Sequence, residues 1–280
     1  MGIKIILLII FFAVMAAVGI YSRRHVTSVD GFVLGGRSVG PWLTAFAYGT
    51  SYFSAVVFVG YAGQFGWKYG IASTWIGIGN ALIGSLLAWV VLGRRTKVMT
   101  QHLGSRTMPD FFGERYKSKS LKITASVIVF VFLIPYTASV YNGLSRLFAM
   151  AFNIPYTWCV VTMAAFTALY VILGGYMATA INDFIQGIIM LIGIVAVIAA
   201  VLNGQGGFMN AIAEMAKIPS DVPLTQGQPG AFTSFFGPDP VNLLGVVLLT
   251  SLGTWGLPQM IGKFYAIKDE KSINTGTVIS

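Results

Sequence analysis

Two stretches of polar side chains interrupt apolar parts of the sequence. The first, Tyr48 to Ala55, reads Tyr-Gly-Thr-Ser-Tyr-Phe-Ser-Ala, and the second runs from Thr250 to Gln259. Both combine hydroxyl groups with glycine, and the second contains Pro258, which removes a hydrogen bond from a helix. Hydroxyl oxygens and freed backbone carbonyls can bind a cation or a small polar solute. Close packing of helices through small residues is the structural alternative.

Asp183 is the one carboxylate inside an otherwise apolar run that is long enough to cross a membrane. A buried acid in such a helix is a candidate cation ligand, proton relay or ion-pair partner. A structural pairing with an arginine or with serines of a neighbouring helix is the alternative. Arg146 lies near the end of another such run, where its long side chain can reach the interface.

The sequence lacks the residues of most enzymes and metalloproteins. A single cysteine, Cys159, excludes a disulfide within the chain and a thiolate metal cluster, and only His25 and His102 could supply imidazole. No Ser-His-Asp set is present, so we expect neither an enzyme nor an organic cofactor. Sodium is the only metal ion that we expect.

The elements that carry these groups are membrane helices. Of the 280 residues, 56% are hydrophobic and 10% are charged, against about 25% charged in soluble proteins. A span needs roughly 20 apolar residues, and the Asn153-Ile154-Pro155 turn and the Gly174-Gly175 pair divide the longest runs. The pattern predicts one all-α transmembrane domain over residues 1–280, with helices at 3–21, 42–66, 71–93, 121–152, 156–173, 176–202 and 241–262.

The distribution of Lys and Arg predicts the orientation. With the N-terminus outside, the cytoplasmic segments 22–40, 94–122 and 263–280 hold fourteen of these residues and the external segments three, as the positive-inside rule requires. The net charge of +9 therefore indicates topology in a lipid bilayer and not nucleic-acid binding. The loop 94–120, in which Met108-Pro109 could begin an interfacial helix, is predicted to be cytoplasmic and the loop 203–240 extracellular.

The second and seventh predicted helices carry the two polar stretches. They are five helices apart, so they run in opposite directions, as equivalent helices of an inverted repeat do. A pair of Gly/Pro-interrupted helices in corresponding positions is typical of the binding site of a secondary transporter.

Three motifs resemble the sodium:solute symporter family, most closely its sodium/proline branch: residues 30–40, residues 174–178 followed by Asp183 and Gln186, and residues 255–259 followed by Lys263. The resemblance implies a LeuT-type fold of two inverted five-helix repeats, incomplete here, with one extra N-terminal helix followed by core helices one to six. It also implies that the chain is an N-terminal portion of a transporter and would not transport alone.

By the same resemblance, the function is sodium-coupled symport of a small organic solute, such as an amino acid, across the cytoplasmic membrane by alternating access. Its partners are then the solute and Na⁺, and no obligatory protein partner is evident. The implied sodium-binding residues are Thr50 and Phe53, through their backbone carbonyls, with Ser54 and Asp183. The implied substrate-binding residues are Ser51, Tyr52, Ala55, Tyr136, Thr254, Trp255, Pro258 and Gln259.

Departures from the family pattern bear on the substrate. Proline-transporting members carry an acid where Tyr52 stands and aromatic residues near Thr250 and Thr254, which argues against proline. Proton coupling through Asp183 and a transporter-like sensor domain are the alternative functions. Replacement of sodium by potassium or choline at constant pH separates the first alternative, and a downstream histidine-kinase domain would reveal the second.

Overall fold

The computed structural model describes residues 2–53 and 61–280, except for the side chain of His25. This part of the chain is helical apart from turns, loops and one isolated pairing of extended residues, Val39 with Ile267. Ser54 and Ala55, two of the predicted site residues, lie outside the described residues. The helices are α1 (Gly2–Ser22), α2 (Val29–Leu34), α3 (Pro41–Tyr52), α4 (Ala62–Tyr69), α5 (Thr74–Gly79), α6 (Arg94–His102), α7 (Met108–Tyr116), α8 (Lys119–Phe152), α9 (Tyr156–Gly204), α10 (Phe208–Ala216), α11 (Pro240–Leu252), α12 (Pro258–Ala266) and α13 (Glu270–Ile279).

Four helical segments in the described residues are long and apolar enough to cross a bilayer. They are Gly2–Ser22, Ala62–His102, Lys119–Phe152 and Tyr156–Gly204, and a bent pair, Pro240–Gly256 with Pro258–Ala266, forms a possible fifth span. The shortest has 21 residues, or about 31 Å at 1.5 Å per residue, which matches the hydrocarbon thickness. The chain therefore has the architecture of an all-α, multi-pass membrane protein.

In the span Ala62–His102, a 3₁₀ turn at Gly70–Ser73 joins α4 to α5, and two π-wound stretches, Asn80–Leu87 and Trp89–Gly93, join α5 to α6. A π turn bonds each N–H to a carbonyl five residues back, and such turns are frequent at functional sites. We call this span the central helix.

Gly175 interrupts α9 with φ 56° and ψ −149°, and the helix resumes directly after it. A Cβ atom at this position would lie 2.9 Å from the carbonyl oxygen of Phe32 on α2. The residue must therefore be glycine both for its backbone conformation and for the close approach of α2. The break divides α9 where the sequence predicted two separate helices.

We expect Gly175→Ala to lower the free energy of unfolding by about 1–3 kcal/mol, the usual cost of a strained backbone conformation, with a further loss from the contact with Phe32. Thermal unfolding in detergent measures the effect. Gly193→Ala is the matched control, since it lies in the same helix and its Cβ would meet nothing within 4 Å. Equal melting temperatures for the two variants would contradict this account of Gly175.

The segments predicted to be cytoplasmic meet at one end of the molecule. Arg37 donates a hydrogen bond to the carbonyl of Ser105 (2.6 Å). The Val39 N–H donates to Ala266 O (3.3 Å), and the Lys268 N–H donates to Val39 O (2.9 Å). These bonds join the chain before α3 to the chain after α6 and to the end of α12.

Charged side chains form further contacts at this end of the molecule. Lys97 of α6 is fully buried and donates to the carbonyls of Ile267 and Tyr265 (3.5 Å to the latter). A cation at the C-terminal end of α12 also interacts favourably with the helix dipole. Arg106 forms an ion pair with Asp30 (2.6 Å), which is exposed and therefore adds little.

Two of the helices begin at aspartate caps outside the spans. Asp239 accepts from the N–H of Asn242 (3.1 Å) at the start of α11, and Asp269 accepts from the N–H of Ser272 (2.7 Å) at the start of α13. The side chain of Asn242 and the backbone of Ser272 hold the pKa of the respective carboxyl below its ordinary value, because these bonds favour the charged form.

Candidate functional site

Two helices end at neighbouring points inside the molecule. α3 ends at Tyr52, and Phe53 leaves the helical conformation with φ −88° and ψ 61°. α11 ends at Leu252, a 3₁₀ turn follows over Gly253–Gly256, and α12 begins after a bend of 51°. The Tyr52 hydroxyl donates to the carbonyl of Thr250 (2.9 Å), so the structure brings the two breaks together.

Helix ends leave backbone groups without intrahelical partners, and these groups are available to ligands. Phe53 N–H still donates to Gly49 O (2.8 Å), which closes the last turn of α3. Leu257 is extended (φ −71°, ψ 128°) immediately before α12. The breaks therefore place the carbonyl ends of α3 and α11 beside the amide end of α12, a combination that can bind a cation and an anionic group together.

A buried amide, Asn80 of the central helix, lies between the two breaks. Its Oδ1 lies within hydrogen-bond distance of the hydroxyls of Tyr52 (3.2 Å), Thr250 (2.9 Å) and Ser251 (3.0 Å), each of which can donate to it. The sequence analysis missed this residue. Its signal was an amide in the middle of the span predicted over 71–93, where a polar group is costly unless it is partnered.

The π-wound stretch supplies two further acceptors to the same region. Tyr48 donates to the carbonyl of Gly84 (3.0 Å), and the Trp255 indole donates to the carbonyl of Ile83 (3.0 Å). Both bonds link the central helix to a broken helix. Trp255, a predicted substrate residue, thus has its N–H occupied by the protein.

Thr50 and Phe53, two predicted sodium residues, share a cavity of about 350 Å³. The Thr50 hydroxyl donates to Phe46 O (2.9 Å) in its own helix, so its oxygen remains free to accept or to bind a cation. The cavity lies between α3, the second half of α9 and the end of α13, and its lining is mostly apolar: Ala45, Phe46, Gly49, Thr50, Phe53, Gly187, Met190, Leu191, Ile194, Ile279 and Ser280.

Asp183 does not line this cavity. Its Oδ2 lies 3.2 Å from Nζ of Lys263 on α12, and the side chains are 24% and 8% exposed, respectively. The ammonium group of Lys263 also lies 5.5 Å from the ring centroid of Tyr176. The pair therefore joins α9 to α12, about 8 Å along α12 from its start at Pro258.

Several polar atoms near this pair are buried and have no hydrogen-bond partner within the described part of the chain. They are the hydroxyl of Tyr176 and both amide atoms of Asn182 and of Gln259. Gln259, a predicted substrate residue, lies one helical turn before Lys263. Buried polar groups of this kind normally bind water, an ion or a ligand.

The remaining predicted site residues fall in three places. Ser51 is half-buried on α3. Thr254 donates to Ser251 O (3.1 Å) within the 3₁₀ turn. Tyr136 of α8 shares a second cavity, of about 530 Å³, with Gly256, Leu257 and Pro258, so it lies near the break between α11 and α12.

No group of three or more His, Cys, Asp or Glu side chains that could hold a metal ion occurs among residues 2–53 and 61–280.

Comparison with known proteins gives a consistent result. The model of the sodium:solute symporter family matches residues 32–280. Sodium/proline symporters of Staphylococcus aureus strains JH9, JH1 and Mu3 / ATCC 700698 are each 33% identical over 276 residues, which is 96% of this chain and 51% of the relative. The chain therefore spans about half the length of these curated relatives. With the family model matched over most of its length, the chain belongs to the sodium:solute symporter family.

Proposed function

We propose that this chain takes part in sodium-coupled symport of a small organic solute, such as an amino acid, across the cytoplasmic membrane by alternating access. The protein is then a transporter and not an enzyme. The observation that carries the proposal is the contact between the two helix breaks, where Tyr52 of α3 donates to the carbonyl of Thr250 on α11 (2.9 Å). Broken helices that meet at mid-membrane are the usual binding site of secondary transporters.

The proposed architecture is the LeuT type of two inverted repeats, in which α3 and α11–α12 are equivalent broken helices. The N-terminus lies outside in this proposal. The meeting of segments 22–40, 94–120 and 263–280 at one end supports it, since these segments carry most of the Lys and Arg and all would face the cytoplasm.

Sodium is proposed to bind at the end of α3, through the carbonyls of Thr50 and Phe53 with Ser54 nearby. The cavity that Thr50 and Phe53 share supports this site, as does the free acceptor capacity of the Thr50 hydroxyl. Asp183 is proposed to line the sodium route to the cytoplasm. A sodium ion at Asp183 would then compete with Lys263, whose Nζ lies 3.2 Å from Oδ2 of the carboxylate.

The solute is proposed to bind beside the 253–258 turn, near Ser51, Ala55, Tyr136, Thr254 and Pro258. The cavity between Tyr136 and Pro258 supports this position. The amide end of α12 would favour a carboxylate, and the unpartnered amide of Gln259 supplies a further donor. The hydroxyl of Tyr52 and the indole N–H of Trp255 are engaged by the protein, so their rings would contribute contact surface.

Uptake into proteoliposomes tests the proposal, with the protein expressed from its complete gene and a panel of labelled amino acids, sugars and small carboxylates. We expect one solute to accumulate with an inward sodium gradient and not when potassium or choline replaces sodium at constant pH. Accumulation that follows a proton gradient instead would establish proton coupling. A folded protein that moves none of the solutes would contradict symport and favour a sensor function.

Thr50→Val keeps the shape of the side chain and removes its oxygen. If the hydroxyl binds sodium, we expect the sodium concentration for half-maximal uptake to rise about tenfold, the effect of roughly 1.4 kcal/mol. Thr162→Val on α9, remote from the breaks along the chain, is the control. An unchanged sodium dependence would exclude the Thr50 hydroxyl, and not its backbone carbonyl, as a sodium ligand.

A further inference from the structure

The side-chain oxygen of Asn80 lies among three hydroxyl groups, one from α3 and two from α11. It is 5% exposed and lies at the start of the π-wound stretch Asn80–Leu87. Tyr52 is the last residue of α3, and Thr250 and Ser251 lie in the last turn of α11. One amide oxygen is thus within hydrogen-bond distance of donors at the ends of both α3 and α11.

The donors are arranged so that the network can change without leaving a buried hydroxyl unpaired. A carbonyl oxygen has two lone pairs, and three hydroxyls surround Oδ1 of Asn80. Tyr52 has a second acceptor in Thr250 O (2.9 Å), and Thr250 has one in Val246 O (2.8 Å). For Ser251, which is fully buried, Asn80 is the acceptor within the described residues.

Two glycines of the central helix bring it close enough for these bonds. A Cβ at Gly84 would lie 2.0 Å from the hydroxyl oxygen of Tyr52, and a Cβ at Gly79 would lie 2.4 Å from Cγ1 of Val247 on α11. A side chain at either position would push a broken helix away from Asn80. The steric fit and the hydrogen bonds therefore specify the same contact.

We propose that Asn80 is a positioning residue, which sets the distance and angle between the ends of α3 and α11 while touching neither ion nor solute. The inference rests on the proposed symport. Alternating access requires the two broken helices to keep their binding groups together while other contacts change. An acceptor shared by three hydroxyls, two of which have a second partner, permits small shifts of α11 against α3 without loss of the connection.

The test is sodium-dependent uptake by the complete protein carrying Asn80→Ala, with protein amount measured in the same membranes. We expect the sodium concentration for half-maximal uptake to rise about tenfold, since loss of a shared buried acceptor commonly has an effect of this size, while the maximal rate changes less. Asn80→Asp retains an oxygen acceptor and should recover most of the sodium affinity. Leu82→Ala, whose side chain is 55% exposed on the same helix, is the matched control and should behave as the wild type.

A double-mutant cycle separates positioning from general damage. If Asn80 acts through Tyr52, the combination of Asn80→Ala with Tyr52→Phe should cost less than the two single effects together. Strictly additive effects, or a wild-type sodium dependence of Asn80→Ala, would overturn the proposal. If Asn80→Ala does not fold, Tyr52→Phe alone decides: a several-fold rise supports the proposal and no change overturns it. Wild-type protein without sodium-dependent uptake would defeat the proposed function and this inference together, whereas normal wild-type uptake with a silent Asn80→Ala would defeat only the inference.

Discussion

Lys263→Met is expected to lower the free energy of unfolding by about 3–5 kcal/mol, because it leaves a buried carboxylate without its counter-charge. The Lys263 ammonium lies 3.2 Å from Asp183 Oδ2, and its side chain is 8% exposed. Methionine keeps the length of the apolar stem, so the loss reports mainly on charge. Thermal unfolding in detergent or lipid nanodiscs measures the change.

The double variant Asp183→Asn with Lys263→Met distinguishes the structural from the transport role of the pair. Removing both charges should return most of the stability, because neither is then buried alone. If Asp183 lines the sodium route, the double variant should be stable and yet take up solute at less than about a tenth of the wild-type rate. Full uptake by the stable double variant would assign Asp183 a structural role, and an unchanged melting temperature of Lys263→Met would contradict the pairing itself.

Gly84→Ala is expected to have the second large effect. The added methyl group would lie 2.0 Å from the hydroxyl oxygen and 2.7 Å from Cζ of Tyr52, so the tyrosine or the central helix must move. Overpacking of this kind costs about 1–3 kcal/mol. We expect a lower melting temperature and loss of most sodium-dependent uptake, because Tyr52 can no longer reach Asn80.

The control for this substitution is Gly77→Ala in the same span, where the added Cβ would meet nothing within 4 Å. It should unfold and transport as the wild type does. Gly84→Ala combined with Tyr52→Ala provides the decisive comparison, since removal of the ring makes room for the methyl group. If Gly84→Ala lowers stability by as much with the ring absent as with it present, the clash with Tyr52 is not the cause.

The helix breaks were predictable from local sequence. Gly253, Gly256 and Pro258 weaken one helix within a few residues, and the structure has its 3₁₀ turn and bend there. Gly175 is similar, although the sequence indicated a turn between two helices and the structure has a single residue at which α9 changes direction. Local backbone preferences act over a few residues, which explains why sequence alone locates such breaks.

The side-chain contacts between different helices could not be predicted from local sequence. Asp183 and Lys263 are 80 residues apart, and the sequence analysis gave an arginine or serines, not a lysine, as the alternative partners. Asn80 is a polar residue in a mostly apolar span. The neighbouring sequence does not indicate which helices surround it. Its importance depends on α3 and α11 approaching the same turn of the central helix, and that approach is a property of the tertiary packing.

The junction of Val39 with residues 266–268 has a consequence for how freely this end of the molecule can vary among relatives. Both hydrogen bonds there use main-chain atoms on each side, and Lys97 likewise reaches carbonyls and not side chains. Any residue except proline can supply such a carbonyl and N–H. The hydrogen bonds that hold the end of α12 can therefore be kept when residues 39, 266 and 267 are substituted, provided that the new side chains fill the same buried volume.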